Sequence, residues 1–169
     1  MLDGFEHGRV TSGASGVYDA VSGSFTSSTT HVHSGLRAGR LNPAAAACNF
    51  QYNFAAGNRV VCTSFYIYFE TLPAADSSLM RLNGSANQLF YDLSSNKFQI
   101  RDSGSAENLD VGPSLVADQW YRVDIELDTS TGTRTCTCRI DGDAGLEAST
   151  SFAVAAADIT FFLYGCAAA

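Results

Sequence analysis

The chain has 169 residues, of which 46% are hydrophobic and 16% charged, enough to form one core of ordinary size. A net charge of −7 with one lysine, Lys97, argues against nucleic acid as a partner, because a phosphate backbone is bound by clustered Lys and Arg. Polar residues interrupt every hydrophobic segment before the ~20 residues that a membrane helix needs, so no membrane partner is expected. We therefore expect a single domain over residues 1–169.

The first forty residues are rich in Gly, Ser and Thr and predict two or three weak strands, around Tyr18, Phe25 and Val32. The acidic residues Asp3 and Glu6 lie close behind the initial Met, where a secretory signal would be basic, so no export signal is expected. His31 and His33 would share one strand face at a spacing that suits two metal ligands. No third ligand lies at a credible spacing, so a packed or solvated histidine pair is favoured.

Residues 59–69, RVVCTSFYIYF, predict a strand rich in β-branched and aromatic side chains. Alternation places Val61 and Phe65 with Ile67 and Phe69 on one face, and it places four other side chains on the opposite face: Val60, Cys62, Tyr66 and Tyr68. Because both faces are apolar, the pattern predicts a central strand. The runs SLMRLNG, NQLFYDLSS and NKFQIRDSG follow, separated by turn signals, and predict an antiparallel meander.

Residues 120–142, WYRVDIELDTSTGTRTCTCRIDG, predict a hairpin of two strands. In the first strand, Tyr121, Val123, Ile125 and Leu127 share one face, and the acids Asp124, Glu126 and Asp128 share the other with Arg122. Two carboxylates ~7 Å apart would suit acid–base hydrolysis of a glycosidic bond. The alternative, which we favour, is a solvated strand face whose acids lie near Arg134, Arg139 or a threonine of the partner strand.

Five cysteines, at positions 48, 62, 136, 138 and 166, include no CxxC pair, and at most two bridges are compatible with that number. Cys136 and Cys138 would point the same way from one strand, so we expect them to pack in the core. Two further strands are predicted in ASTSFAVA and DITFFLYG. Many short strands without a convincing helix predict an all-β fold, a two-sheet antiparallel jelly-roll sandwich.

Five runs in order, GFEHG, HSGLRAG, FYIYFETLP, LVADQWYRVDIELDTSTG and CRIDG, resemble landmarks of concanavalin A-like or laminin G-like jelly-roll domains from Gly4 to Gly142. The short form of this pattern is most similar to domains of bacteriophage tail and capsid-associated proteins. The resemblance implies a non-enzymatic virion protein, a capsid decoration or tail component, whose partners are other virion proteins or copies of itself. Its expected location is the virion, with an extracellular location as the alternative.

The same family includes lectins and glycoside hydrolases, so the resemblance leaves a carbohydrate-binding adhesion module, with a cell-surface glycan as partner, as the alternative function. The hydrolases carry an E-x-D-x-(x)-E motif that DIELD does not match, which argues against catalysis. The family usually adds a strand after the segment equivalent to FFLYG. We therefore expect either that this strand is absent or that a neighbouring subunit supplies a strand at the exposed edge.

Tyr66, Tyr68 and Tyr91 are the candidate ligand-binding residues, because tyrosine rings can stack on sugars where they line a sheet face. Packing of these tyrosines within the sandwich is the favoured alternative. The resemblance implies that Trp120 packs against the core. No cofactor is expected; Asp141 and Asp143 are a candidate calcium pair, although the Asp-Gly sequence between them is also typical of a tight turn.

Overall fold

A computed structural model describes residues 18–23, 25–41, 48–82, 87–102, 108–130, 134–140, 148–152 and 158–168. Within these ranges the chain forms thirteen strands: β1 (Ala20–Ser22), β2 (Phe25–Ser28), β3 (Ala38–Leu41), β4 (Cys48–Asn58), β5 (Val60–Tyr68), β6 (Ser77–Leu82), β7 (Asn87–Asp92), β8 (Lys97–Asp102), β9 (Asn108–Val111), β10 (Trp120–Asp128), β11 (Arg134–Ile140), β12 (Ala148–Phe152) and β13 (Ile159–Ala168). None of these residues belongs to a helix that is long and apolar enough to cross a membrane.

The strands form two large antiparallel sheets and one hairpin. The seven-stranded sheet has the order β1-β4-β13-β6-β7-β8-β9, and the four-stranded sheet has the order β12-β11-β10-β5. The hairpin pairs β2 with β3. The predicted meander is confirmed as β6, β7 and β8, which are successive neighbours in the larger sheet.

One hydrophobic core lies between the two large sheets. The ring of Phe98 on β8 meets that of Tyr121 on β10 edge to face, with centroids 5.7 Å apart. Phe65 on β5 and Tyr164 on β13 make a similar contact at 5.4 Å. The buried hydroxyl of Tyr164 is satisfied by the Thr63 hydroxyl at 2.7 Å. The predicted all-β sandwich of jelly-roll type is therefore confirmed.

The core requires close backbone approach at Gly112, just after β9. This residue has a φ of +78°, and a Cβ there would lie 2.9 Å from a side-chain carbon of Ile140. A larger residue would be strained by its backbone conformation and would collide with a fully buried neighbour. Glycine at this position allows β9 to end against β11.

The predicted faces of the β10–β11 hairpin are confirmed. Tyr121, Val123, Ile125 and Leu127 are buried, whereas Arg122 and Glu126 are exposed. The register places Asp124 opposite Arg139 and Glu126 opposite Thr137, as cross-strand pairing predicted. Alternation along short strands was therefore sufficient to separate the core side from the outer side.

The two neighbouring cysteines lie in the core as predicted. Cys136 and Cys138 are buried and unbridged, and Cys62 is an exposed thiol that is also unbridged. Burial raises the pKa of the Cys136 thiol to about 12 and also raises that of Cys138. Both side chains therefore behave as small apolar groups.

The faces of β5 agree with the prediction, but its place in the sheet does not. Val61 is buried and Phe65 and Ile67 pack against the core, whereas Val60 and Tyr66 are exposed. However, β5 is an edge strand of its sheet and pairs only with β10 among the described residues. The prediction of a central strand was wrong because an apolar outer face has another cause here, which is the cluster of rings described below.

Other differences concern the first strands and the last. Val32 lies outside any strand, in the loop that joins β2 to β3, and the eleven-residue β4 was not predicted. The final strand, β13, extends through Ala168 and pairs with both β4 and β6. The sequence FFLYG therefore lies inside the larger sheet, so the alternative in which a neighbouring subunit completes an exposed edge beside it was wrong.

Candidate ligand-binding face

Alternation along β5 and β10 places a row of large side chains on the outer face of the four-stranded sheet. The register sets Trp120 opposite Tyr68 and Arg122 opposite Tyr66. The rings of Tyr68 and Trp120 have centroids 5.2 Å apart and are tilted by 44°. Direct cross-strand neighbours interact on a common face, so two strands suffice to assemble this row.

A loop from the hairpin completes the group of rings. The His loop, residues 29–37, joins β2 to β3 and reaches the outer face of β5. The His33 ring stacks on Tyr66 with a centroid distance of 3.6 Å and an interplanar angle of 16°. The His31 ring stacks on Tyr68 at 4.5 Å and 19°. His33 also meets the edge of Trp120 at 5.4 Å.

We call these five rings the aromatic cluster: His31, His33, Tyr66, Tyr68 and Trp120. Tyr66 is 45% exposed, and His33 is also exposed. Each ring touches at least one other ring of the cluster, so their relative positions are fixed before any ligand arrives. Exposed aromatic surface of this kind is unusual on an outer strand face, where polar residues are the norm.

The Tyr68 hydroxyl is oriented by an acid. It donates a hydrogen bond to Asp118 Oδ1 at 2.9 Å. This bond, together with desolvation and the negative charges of Asp118 and Glu70, raises the pKa of Tyr68. The carboxylate of Asp118 therefore lies beside the phenol at this end of the aromatic cluster.

Charged side chains continue the outer face beyond the rings. Arg122 Nε donates to Asp124 Oδ1 at 3.1 Å, and Asp124 lies opposite Arg139 in the register. Arg40, on β3, forms a 2.9 Å ion pair with Glu70. Rings beside hydrogen-bonding groups make a surface suited to a ligand that is both apolar and polar.

The acids of β10 lie on the same outer face. The Asp124 side chain is 20% exposed and ion-paired, and Glu126 is exposed opposite Thr137. A general acid that works near neutral pH has a pKa raised by desolvation. The placement of both carboxylates agrees with a solvated strand face.

Of the three tyrosines predicted to bind ligand, the structure brings Tyr66 and Tyr68 together and separates Tyr91 from them. Tyr91 is 2% exposed in the core, and its hydroxyl donates to Asn96 Oδ1 at 2.9 Å. The prediction of a stacking role for Tyr91 is corrected, because a buried ring offers no face to a ligand.

Trp120 requires the opposite correction, since it belongs to the outer face rather than to the core. The alternation of side chains along β10 indicates this outward position, whereas the family resemblance implied packing against the core. Tyr121 points inward, so its neighbour Trp120 must point outward with Arg122. No comparable sequence pattern predicted that His31 and His33 stack on tyrosines of the aromatic cluster, because their positions depend on the path of a loop.

The predicted histidine pair is not on a strand, and each ring is instead stacked on a tyrosine. Across the described ranges, no group of three or more His, Cys, Asp or Glu is arranged to hold a metal ion. The candidate calcium pair, Asp141 and Asp143, lies outside the described residues.

The outer face of the seven-stranded sheet is built differently. The Arg101 guanidinium lies 3.5 Å from the ring centroid of Phe90 and donates to Asp76 and Asp92, each at 3.3 Å. Gln99 accepts another of its hydrogen bonds and donates to Asp110 at 2.9 Å. Phe90, Asp92 and Gln99 are buried, so these groups satisfy one another.

Comparison with known proteins supports the fold. No family model matches the chain, and no curated protein matches it. Among solved structures, a chain named sialidase is similar with a TM-score of 0.56 and 12% sequence identity, over 71% of this chain. The match covers 10% of the sialidase chain, so the present chain resembles one sandwich-sized part of a much longer protein. At this identity the likeness shows a shared β-sandwich fold.

Proposed function

We propose that this chain is a carbohydrate-binding β-sandwich module whose binding surface is the outer face of the four-stranded sheet. The single observation that carries the proposal is the aromatic cluster, five rings in mutual contact beside charged groups. The sialidase neighbour adds a carbohydrate-related protein with the same type of fold.

The chemistry of a sugar suits such a surface. A pyranose ring has an apolar C–H face that packs on an aromatic ring, and its hydroxyl groups need hydrogen-bond partners. Tyr66 and His33 supply exposed ring surface, while Arg122, Asp118 and Asp124 lie within the same face and carry donors and acceptors.

We propose binding without hydrolysis. Asp124 is held by Arg122, and Glu126 lies on an exposed strand face. A non-enzymatic role predicts that the chain releases no reducing sugar from any glycan that it binds. Hydrolysis that is lost in Glu126→Gln would contradict this part of the proposal and would identify Glu126 as catalytic.

The decisive experiment is a glycan array followed by titration calorimetry on the best ligand. Tyr66→Ala removes exposed ring surface from the aromatic cluster, and we expect it to weaken binding at least tenfold. The matched control is Tyr52→Ala, since Tyr52 is 44% exposed but lies on β4 of the other sheet. Equal losses in both variants, or an array without signal, would refute the proposed site.

A role in virion assembly, expected from the phage-like sequence pattern, stays a prediction. It concerns where the module is carried, whereas the aromatic cluster concerns what the module binds. Copurification of the chain with a particle would support that prediction.

A further inference from the structure

We infer that the aromatic cluster selects uncharged glycans and discriminates against sialylated, uronic and sulfated ones. This inference rests on the proposed function and adds the class of ligand. It depends on how the charged side chains around the rings are already paired.

The cations near the rings are largely committed to carboxylates. Arg122 donates to Asp124, and Arg40 pairs with Glu70. Arg139 lies opposite Asp124, the acid that Arg122 already holds. Recognition of a carboxylate or sulfate normally uses an arginine whose two donors face the anion. An anionic sugar would have to compete with protein carboxylates for these guanidinium groups.

One acid beside the rings is hydrogen-bonded to an uncharged group. Asp118 accepts from the neutral hydroxyl of Tyr68, so its charge is not cancelled by that partner. A ligand carboxylate near Tyr68 would therefore meet repulsion from Asp118.

Uncharged hydroxyl groups do not meet this penalty. A carboxylate has about four lone-pair positions, and a hydrogen bond from Tyr68 or Arg122 uses one of them. The remaining positions suit the O–H donors of a neutral sugar. The same acids that repel an anion therefore provide its neutral counterpart with hydrogen-bond acceptors.

A substitution of Arg37 tests whether an arginine of this region binds anionic glycans. Arg37 ends the His loop and donates to the neutral hydroxyl of Ser27 at 3.1 Å. Because the hydrogen-bond partner of Arg37 is uncharged, an anionic ligand could bind Arg37 without displacing a protein carboxylate. Our inference predicts that Arg37→Gln leaves the relative affinities for neutral and anionic glycans unchanged.

The test compares matched glycans that differ only in charge. The wild-type chain is titrated with N-acetyllactosamine, its 3′- and 6′-sialyl forms, and the best array ligand beside a desialylated or carboxyl-reduced counterpart. We expect the neutral member to bind at least tenfold more tightly, about 1.4 kcal/mol. Its affinity should be the same in about 50 and 300 mM salt, because no ion pair forms with it.

A charge variant tests the cause. Asp118→Asn keeps an acceptor for the Tyr68 hydroxyl but removes the negative charge, so we expect preference for the neutral glycan to fall to about threefold or less. Asp110→Asn is the matched control, since Asp110 accepts from Gln99 on the other sheet. An unchanged preference in Asp118→Asn would contradict the electrostatic explanation.

The outcomes separate the two proposals. Tighter binding of the sialylated or other anionic member, with loss of affinity in higher salt, would overturn the inference while leaving the carbohydrate-binding function intact. Binding to no glycan of either kind would overturn the proposed function and this inference together.

Discussion

The two outer faces of the sandwich use similar residues in different ways. On the seven-stranded sheet, Arg101 covers Phe90 and is held by Asp76, Asp92 and Gln99, and Phe90 is 5% exposed. On the four-stranded sheet, the rings contact one another, and Tyr66 remains 45% exposed. The first face satisfies its own polar groups, whereas the second presents apolar surface to the solvent.

This difference shows that residue type alone does not identify a binding surface. Arginine, aspartate and an aromatic ring form a structural layer when they saturate one another, because a ligand would have to break those contacts. They form a candidate site when ring surface stays exposed. The comparison can be tested by measuring what each face contributes to stability and to binding.

The largest effect of a single substitution is expected from Arg101→Ala on the seven-stranded sheet. This change removes hydrogen bonds to three partners and a cation–π contact, and should lower the free energy of unfolding by about 2–3 kcal/mol. Urea denaturation measures the loss. The control Arg122→Ala should cost at most about 1 kcal/mol, because its ion pair is partly exposed. Equal losses would remove the contrast between the faces.

Stability measured at increasing pH tests the inner side of the four-stranded sheet, where Cys136 and Cys138 are buried. Because the folded pKa of Cys136 is raised from 9.0 to about 12 and that of Cys138 is raised too, the folded state holds these protons more tightly than the unfolded chain. Their stabilising effect is complete below pH 9 and is lost above it. At pH 10.5 we expect a loss of about 2 kcal/mol for each thiol.

The control for this series is the double variant Cys136→Ala, Cys138→Ala, which should lose less stability between pH 7 and pH 10.5. Urea denaturation at both pH values gives the comparison. Identical losses in the variant and the wild-type chain would show that the thiols do not cause the alkaline decline.

A smaller effect, of opposite sign, is expected at Asn87 on β7. Asn87 shares the core side with Leu89 and is fully buried, and its two amide atoms have no hydrogen-bond partner among the residues that the structure describes. Asn87→Leu should therefore raise the free energy of unfolding by about 1 kcal/mol, which urea denaturation measures. Asp92→Leu, on the outer side of β7, should instead be destabilising, because Asp92 accepts hydrogen bonds from Ser94 and Ser95. A loss of stability in Asn87→Leu would show that the amide is satisfied in solution.

The smallest effect on stability is expected from His33→Ala in the His loop. The stacked contact with Tyr66 should contribute about 0.5–1 kcal/mol, and its loss should make the loop more susceptible to proteases. Limited proteolysis and the thermal midpoint measure both changes. Ser34→Ala is a control in the same exposed loop and should leave the cleavage rate unchanged. Matching rates for the two variants would show that the stack does not hold the loop.

The parts of the fold that depend on local alternation were predictable. The faces of β5, β10 and β11 follow from a two-residue period, as does the burial of Cys136 and Cys138. Strand β4, which was not predicted, carries the same signal, since Phe50, Tyr52 and Phe54 alternate with Gln51 and Asn53.

Sheet order and the path of loops could not be derived in this way. Alternation identifies which side chains share a face, but it does not identify the neighbouring strand, so β5 was placed at the centre rather than at the edge. Tyr66 and Tyr68 were found because they lie on a strand. The stacking of His31 and His33 on them requires the return path of the hairpin, which depends on contacts distant in sequence.

The chain has a single tryptophan, and this residue belongs to the aromatic cluster. Its intrinsic fluorescence therefore originates at the candidate site itself, with no label or engineered probe. A sugar that settles beside Trp120 would displace water from the indole and shift its emission, giving a direct optical titration.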